Sequence, residues 1–273
     1  MNPYLIKEPT CISFSGGRTS GYMLYKILEA NQGLPNDAKV IFANTGKEEE
    51  ATLEFVKDCG EKWNCDITWL EYTPTDLKFK VVNFETASRH GEPFEQLIEK
   101  KNYLPNPVTR FCTVELKIRT IHKYLKSLGW EHDENSDWIG IRADEPRRAA
   151  KVTKDRIPLF VDGVTAQDVG SFWNQQDFDL RLPNINGKTY HGNCDLCFLK
   201  GHPQTVSLIS EKPDRAIWWI EQEAKIKSTG QFTGDGARFR KDRPSYKQMM
   251  EFAKTQTNLF EKEEETIPCF CGD

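Results

Sequence analysis

The sequence predicts an α/β protein: a doubly wound, mostly parallel sheet, followed by a smaller loop- and helix-rich C-terminal part. Three observations carry this. Short apolar runs alternate with helix-spaced segments between residues 10 and 141, the signature of βαβ units with helices on both sheet faces. A Gly-rich turn follows the first apolar run, where open α/β sheets place ligands. Beyond Pro158 the pattern breaks into Gly/Pro/Asn-rich turns and short helical patches. The expected division is residues 1–160 for the sheet domain and 161–273 for a C-terminal subdomain that holds cysteines.

Each element has its own reason. Thr10-Cys11-Ile12-Ser13-Phe14 is a short strand stopped by Ser15-Gly16-Gly17, and Gly21 to Ala30 follows with Tyr22, Met23, Ile27 and Ala30 at helical spacing. Lys39 to Ala43 reads as a buried strand closed by Asn44-Thr45-Gly46. The next helix carries Thr52, Phe55, Val56 and Cys59 on one face, and its acidic start, Glu48-Glu49-Glu50, suits the helix dipole. Asp66 to Leu70 is a third strand and Trp138 to Ile141 a fourth, with helices expected over Phe94–Lys101 and Thr113–Leu128 between them.

Composition narrows the function classes. With 37 Lys+Arg against 41 Asp+Glu, the net charge of −4 excludes nucleic-acid binding by bulk charge, though not by a local patch. No apolar run reaches membrane-span length, and the N-terminal residues lack a signal-peptide pattern, so a cytoplasmic protein is expected. Eight cysteines in such a protein argue against a disulfide framework. Cys11, Cys59 and Cys65 have apolar or helical neighbours and read as core or surface thiols.

The segment Ser15-Gly16-Gly17-Arg18-Thr19-Ser20 combines a tight turn, hydroxyl donors and a helix N-terminus, which favours a phosphate or pyrophosphate. It matches neither G-x-x-x-x-G-K-[ST] nor G-x-G-x-x-G. A plain strand-to-helix turn with a Ser cap is the alternative. In the second part, Cys194-Asp195-Leu196-Cys197 among turn residues has metal-knuckle spacing, and Cys269-Phe270-Cys271 offers another close pair. Cys112 precedes a helix beside Arg110, which favours a thiolate. Arg238-Phe239-Arg240-Lys241-Asp242-Arg243 mixes cations with an aromatic, so nucleic acid (tRNA or DNA) binding at 238–243 competes with a solvated turn, in which Ser245 and Gln248 form a capping box. Trp218-Trp219 and Phe172-Trp173 read as core, and His191 and His202 as loop histidines near the cysteine pair.

Ser-Gly-Gly-x-x-Ser after a first strand resembles the pyrophosphate loop of the ATP pyrophosphatase superfamily, and three later segments match in order. Phe42-Ala43-Asn44-Thr45-Gly46 resembles the element that ends the second strand of the phosphoadenylyl-sulfate reductase branch, with Asn44 in place of an acid. Gly140-Ile141-Arg142-Ala143-Asp144-Glu145 resembles its G-x-R-A-acidic element. Ile157-Pro158-Leu159 with Thr165-Ala166-Gln167-Asp168-Val169 resembles the stretch leading into the second part. The resemblance implies an adenine nucleotide alpha hydrolase-like fold and an enzyme that binds ATP or an adenylyl-sulfate-type nucleotide. Ser15, Gly16, Gly17, Arg18, Thr19 and Ser20 would hold phosphates, and Asn44, Thr45, Gly46 and Gly140 would border the nucleotide. Arg142 and Lys117 would carry catalytic charge, with magnesium as a further cofactor.

Iron–sulfur members of that branch place cysteines before a basic helix and a C-x-x-C some eighty residues later, and Cys112 precedes Cys194 by 82. By that resemblance a 4Fe-4S cluster would sit on Cys112, Cys194, Cys197 and either Cys269 or Cys271, with zinc as the alternative metal. The chain departs from the branch in having one cysteine at the first position and no reductase-type tail motif. ATP-dependent sulfur insertion into nucleic acid and a non-catalytic nucleotide-binding regulatory module are the competing functions.

Overall fold

The computed structural model describes residues 2–131, 137–185, 187–226 and 237–255. Strand β1 (Thr10–Ser13) runs into helix α1 (Arg18–Asn31), then β2 (Ala38–Asn44), α2 (Glu50–Lys62) and β3 (Ile67–Tyr72). β1, β2 and β3 pair in parallel and in sequence order, and β4 (Phe79–Val82) closes the far edge antiparallel to β3. On the other side of β1, Ile12 pairs in parallel with Trp138. β1 therefore has β2 on one flank and a much later segment on the other, which is the point where strand order reverses. The α/β class and the mostly parallel, doubly wound sheet stand as expected.

Two local expectations need correction. Trp138–Ile141 makes a single bridge, not a strand, because Ile139 turns to bond Arg156 and leaves the edge of β1. β4 carried no sequence signal: its four residues, Phe-Lys-Val-Val, are half exposed and lack apolar–polar alternation.

The helix expected over 113–128 begins as a π-helical turn, Thr113–Ile118, and continues as α4 (Arg119–Ser127) after α3 (Glu92–Lys101). The Thr120 hydroxyl donates to the Glu115 carbonyl at 2.8 Å, a five-residue reach that satisfies a carbonyl in the widened turn. Beyond it lie the short helices α5 (Pro146–Ala149), α6 (Pro158–Val161) and α7 (Ala166–Trp173), a two-stranded hairpin of β5 (Asn184–Ile185) and β6 (Lys188–Thr189), then α8 (His202–Glu211), α9 (Arg215–Lys225) and α10 (Tyr246–Thr255). Thr165 and Asp168 form a reciprocal cap at the start of α7.

Two cores hold these layers. One joins Ile12, Phe14, Phe42 and Phe55 to Leu159 and Trp173. The other joins Phe94, Phe111 and Leu116 to Leu196, Trp219 and Tyr246. Trp218, Trp219 and Trp173 are core residues, and both cores draw on residues from each side of position 160.

Candidate functional site

The loop after β1 is shaped by what surrounds it. Gly16 has φ +78°, and a Cβ there would lie 2.7 Å from the Thr52 methyl of α2, so only glycine fits. Gly140 admits a different closeness: a Cβ there would meet the Ser20 backbone at 3.2 Å, so the segment after Trp138 rests on the start of α1. The Ser15 and Ser20 hydroxyls are 2.9 Å apart, and Ser20 donates to the Gly17 carbonyl at 2.9 Å. Gly17 caps α1 without a side-chain acceptor.

Two arginines expected at the ligand instead brace this loop. Arg18 donates twice to Asp179 at 2.7 Å and also reaches the Leu180 and Leu182 carbonyls. Arg142 donates to Thr19 Oγ1 at 3.0 Å and to Asp144 at 2.9 Å. Both guanidinium groups are buried with their charges matched by carboxylates, a geometry that positions the loop.

The turn after β2 is equally occupied. Asn44 is fully buried: its amide donates to Glu71 at 2.6 Å and to the Ser88 carbonyl at 2.9 Å, and its oxygen accepts from Gly46 N–H at 3.0 Å. An acid in its place would set a second carboxylate against the buried Glu71, which accounts for asparagine here. Glu48 folds back to accept from the Thr45 N–H and hydroxyl at 2.9 Å. Its role is local capping of this turn, more specific than the helix-dipole effect expected of it.

Between the end of β1, the π-helical turn, the 137–140 segment and the 148–156 segment lies a cavity of about 360 Å³. Arg110, Lys117, Arg148, Lys151 and Arg156 line it against one acid, Asp137. Arg148 is buried, ion-paired to Glu145 through one terminal nitrogen, and its Nε has no hydrogen-bond partner. Such a group gains by meeting an anion. Ser15 and Lys117 line both this cavity and a smaller cleft of about 20 Å³ that also includes Gly16, Gly17, Glu48 and Asn193. Lys117 Nζ stands 3.9 Å from Glu48. Arg156 and Asp137 had no motif to announce them. The π-turn that presents Lys117 is likewise invisible to periodicity.

The thiols divide as expected in part. Cys11, Cys59 and Cys65 are buried in the sheet domain, and burial pushes the Cys65 thiol up to about 12. Cys197 belongs to the second core, and Cys112 and Cys194 pack against it. Cys194 Sγ lies 3.5 Å from Thr45 Oγ1. Burial first, then the charges of Glu48 and Cys197, raise its thiol well above the usual range, with Lys117 acting in the opposite direction. Cys269 and Cys271 lie outside the described residues. Among the described residues no three His, Cys, Asp or Glu side chains come together to hold a metal ion.

The loop between Cys194 and Cys197 is fastened to the Thr45–Glu48 turn by a buried ion pair. Lys47 Nζ meets Asp195 Oδ2 at 2.9 Å, the Asp195 N–H donates to the Lys47 carbonyl at 2.7 Å, and Asp195 Oδ1 accepts from Trp219 Nε1 at 2.9 Å. Of the two readings of the basic stretch, base stacking has no surface to use. Phe239 and Tyr246 are buried, so no base can stack on either. Arg240 pairs with Asp242, and Arg243 donates to the Phe198 and Lys200 carbonyls at 2.8 and 2.7 Å. Ser245 and Gln248 do form the capping box.

Glu223 accepts from the Phe239 and Tyr246 N–H groups, yet burial outweighs these bonds and raises its carboxyl from 4.5 to about 7. The folded chain holds this proton more tightly than the unfolded one, so stability declines as pH climbs between those values. Urea midpoints are expected to fall from about pH 5 to about pH 8, and Glu223→Gln to flatten that slope. An unchanged slope in the variant would refute the assignment.

Residues 9–157, more than half of the chain, match the phosphoadenosine phosphosulfate reductase domain. The chain is 30% identical over 239 residues to the uncharacterized nin region protein ORF290 of Escherichia phage lambda, covering 83% of this chain and 77% of that one. It is also 30% identical over 153 residues to the uncharacterized protein MJ0066 of Methanocaldococcus jannaschii, covering 56% of this chain and 26% of that one. No helix among the described residues is long and apolar enough to cross a membrane.

Proposed function

The chain belongs to the phosphoadenosine phosphosulfate reductase domain family, and from that premise we propose that it is an enzyme acting on ATP or an adenylylated sulfur compound. The observation that carries this reading is the cation-lined cavity opening beside the Ser15–Ser20 loop at the strand-order reversal. At its Ser15 edge, where it meets the smaller cleft along Gly16 and Gly17, the Ser15 hydroxyl and the N-terminus of α1 bind phosphate, with Ser20 holding the Ser15 hydroxyl. Thr45 and Gly46 line neither the cavity nor the cleft, and Thr45 acts on the site through Glu48, which it bonds. Lys117 and Arg148 offset charge that develops at the reacting phosphorus or sulfur, in a site whose apolar walls (Phe14, Ile121, Val152) exclude water. Arg142 and Arg18 act one step back, fixing the loop.

A four-thiolate cluster, iron–sulfur or zinc, is the finer form of this reading. It would draw on Cys112, Cys194 and Cys197 and needs a tail cysteine, Cys269 or Cys271, to complete it. The described thiols alone do not make a metal site. Iron and acid-labile sulfide in anaerobically purified protein, lost in Cys194→Ser, would support it, and a colourless, iron-free protein would remove it.

Calorimetry with ATP and with adenylyl sulfate tests the core proposal. Lys117→Met is expected to weaken binding by about tenfold or more, the cost of losing a charged hydrogen bond to phosphate. Sulfite or AMP release under reducing conditions is the expected turnover. Binding unaffected by Lys117→Met would sink the site assignment, and pyrophosphate formed only with added tRNA or DNA would reassign the chemistry to nucleic-acid thiolation.

A further inference from the structure

The turn at 45–49 carries two separate fastenings to the part of the chain that holds the C-x-x-C. The first is the Lys47–Asp195 pair, closed on its far side by Trp219. The second runs from Glu49 to Arg215 at 3.0 Å, from Arg215 to Glu211 at 3.5 Å, and from Glu211 to His191 Nε2 at 2.7 Å, ending three residues before Cys194. At the middle of the same turn, the Thr45 hydroxyl touches Cys194 Sγ while bonding Glu48, whose carboxylate lies on the cleft shared with Ser15 and Gly17. Gly192 and Asn193 line that cleft too. The thiol, the turn and the loop after β1 thus form one connected set of contacts.

We propose that the 45–49 turn couples occupancy of the nucleotide cleft to the Cys194 thiol, with Lys47 and Asp195 as positioning residues. The inference rests on the nucleotide reading of the larger cavity, which meets this cleft at Ser15 and Lys117. A ligand that reaches the cleft against Glu48 and Asn193 holds the turn, and the turn holds Cys194 through Asp195. Without a ligand the turn lacks this further hold on its cleft side, and Cys194 exchanges more freely with solvent. A buried ion pair suits this role: its geometry is demanding, and it passes displacement from one partner to the other without slack.

The full-length protein is treated with iodoacetamide with and without saturating ATP, and Cys194 modification is followed by peptide mass spectrometry. ATP is expected to slow Cys194 labelling by about tenfold, within the usual range of coupling between sites. In Lys47→Met/Asp195→Asn, which removes both charges and keeps an acceptor for Trp219, ATP still binds but protection falls to within about twofold of none. Arg215→Gln opens only the second fastening and is expected to halve the protection, so the question remains decidable if the double variant does not fold. A merely structural loss would weaken ATP binding and expose Cys59 together, a different pattern. ATP binding with unchanged Cys194 labelling overturns the inference alone. So does absence of Cys194 labelling in either state, or full protection in every variant that folds. Failure of wild-type protein to bind either ATP or adenylyl sulfate overturns the inference and the nucleotide reading together.

Discussion

Asp195→Ala is expected to lower stability by about 3–5 kcal/mol, the cost of leaving a buried charge without its partner. Lys47 and Asp195 are both almost fully enclosed, and the alanine would strand an ammonium between the Trp218 ring, 5.2 Å away, and the second core. It would also leave the buried Trp219 indole N–H without its acceptor. The Asn variant should cost less, because it keeps that acceptor. Removing both charges should recover part of the loss, since neutralised pairs often cost little. Chemical denaturation of the four proteins (wild type, two single variants and the double) measures the coupling directly. If Asp195→Ala and the double variant with Lys47→Met lose the same amount, the ion pair is not what holds the loop.

Gly16→Ala is expected to reduce ATP affinity by at least about tenfold and to cost about 1–3 kcal/mol of stability, from a left-handed residue with a side chain and a steric conflict. The conflict is with the Thr52 methyl at 2.7 Å and the Val56 methyl at 3.1 Å, both on α2 and facing the first core. Neither can retreat far, so the loop must move outward, and Ser15 and Gly17 move with it. Gly16→Ala/Thr52→Ser separates the two causes. It removes the nearest methyl but not the unfavourable φ, and should restore only part of the affinity. Calorimetric titration with ATP and urea denaturation give the two quantities. Wild-type affinity in Gly16→Ala would show that the loop does not hold the phosphate.

Readability of this protein from its sequence followed the range of each interaction. β1, the Gly16-Gly17 turn and α1 follow directly on one another between Thr10 and Asn31 and announce one another through apolar runs, glycine and helical spacing. The Ser245–Gln248 box was readable for the same reason, being a local exchange of hydrogen bonds. What distance in sequence conceals is the partner. Arg142 looked like a ligand-facing cation after a strand, and nothing nearby showed that Thr19 would take one of its N–H groups. Asn44 looked like an altered acid beside a nucleotide, while its actual partners, Glu71 and Ser88, lie 27 and 44 residues on. The Lys47–Asp195 pair spans most of the chain and has no motif at all. The cationic stretch at 238–243 misled because aromatic residues between charges read equally well as a stacking surface or as anchors, and burial decides between them.

The π-helical turn at Thr113–Ile118 acts as a phase setting within one rod. In a regular α-helix each residue advances the side-chain direction by about 100°, so one extra residue per turn delays everything on the far side by that angle. Arg110 and Cys112 stand before the delay, Lys117 within it, and Ile121 and Leu125 after it, the last two locked into the sheet. With the sheet end fixed, the inserted residue determines the compass bearing at which Lys117 meets the cavity and Cys112 meets the second core. A helix of identical composition but one residue shorter here would keep its grip on the sheet and aim those groups elsewhere.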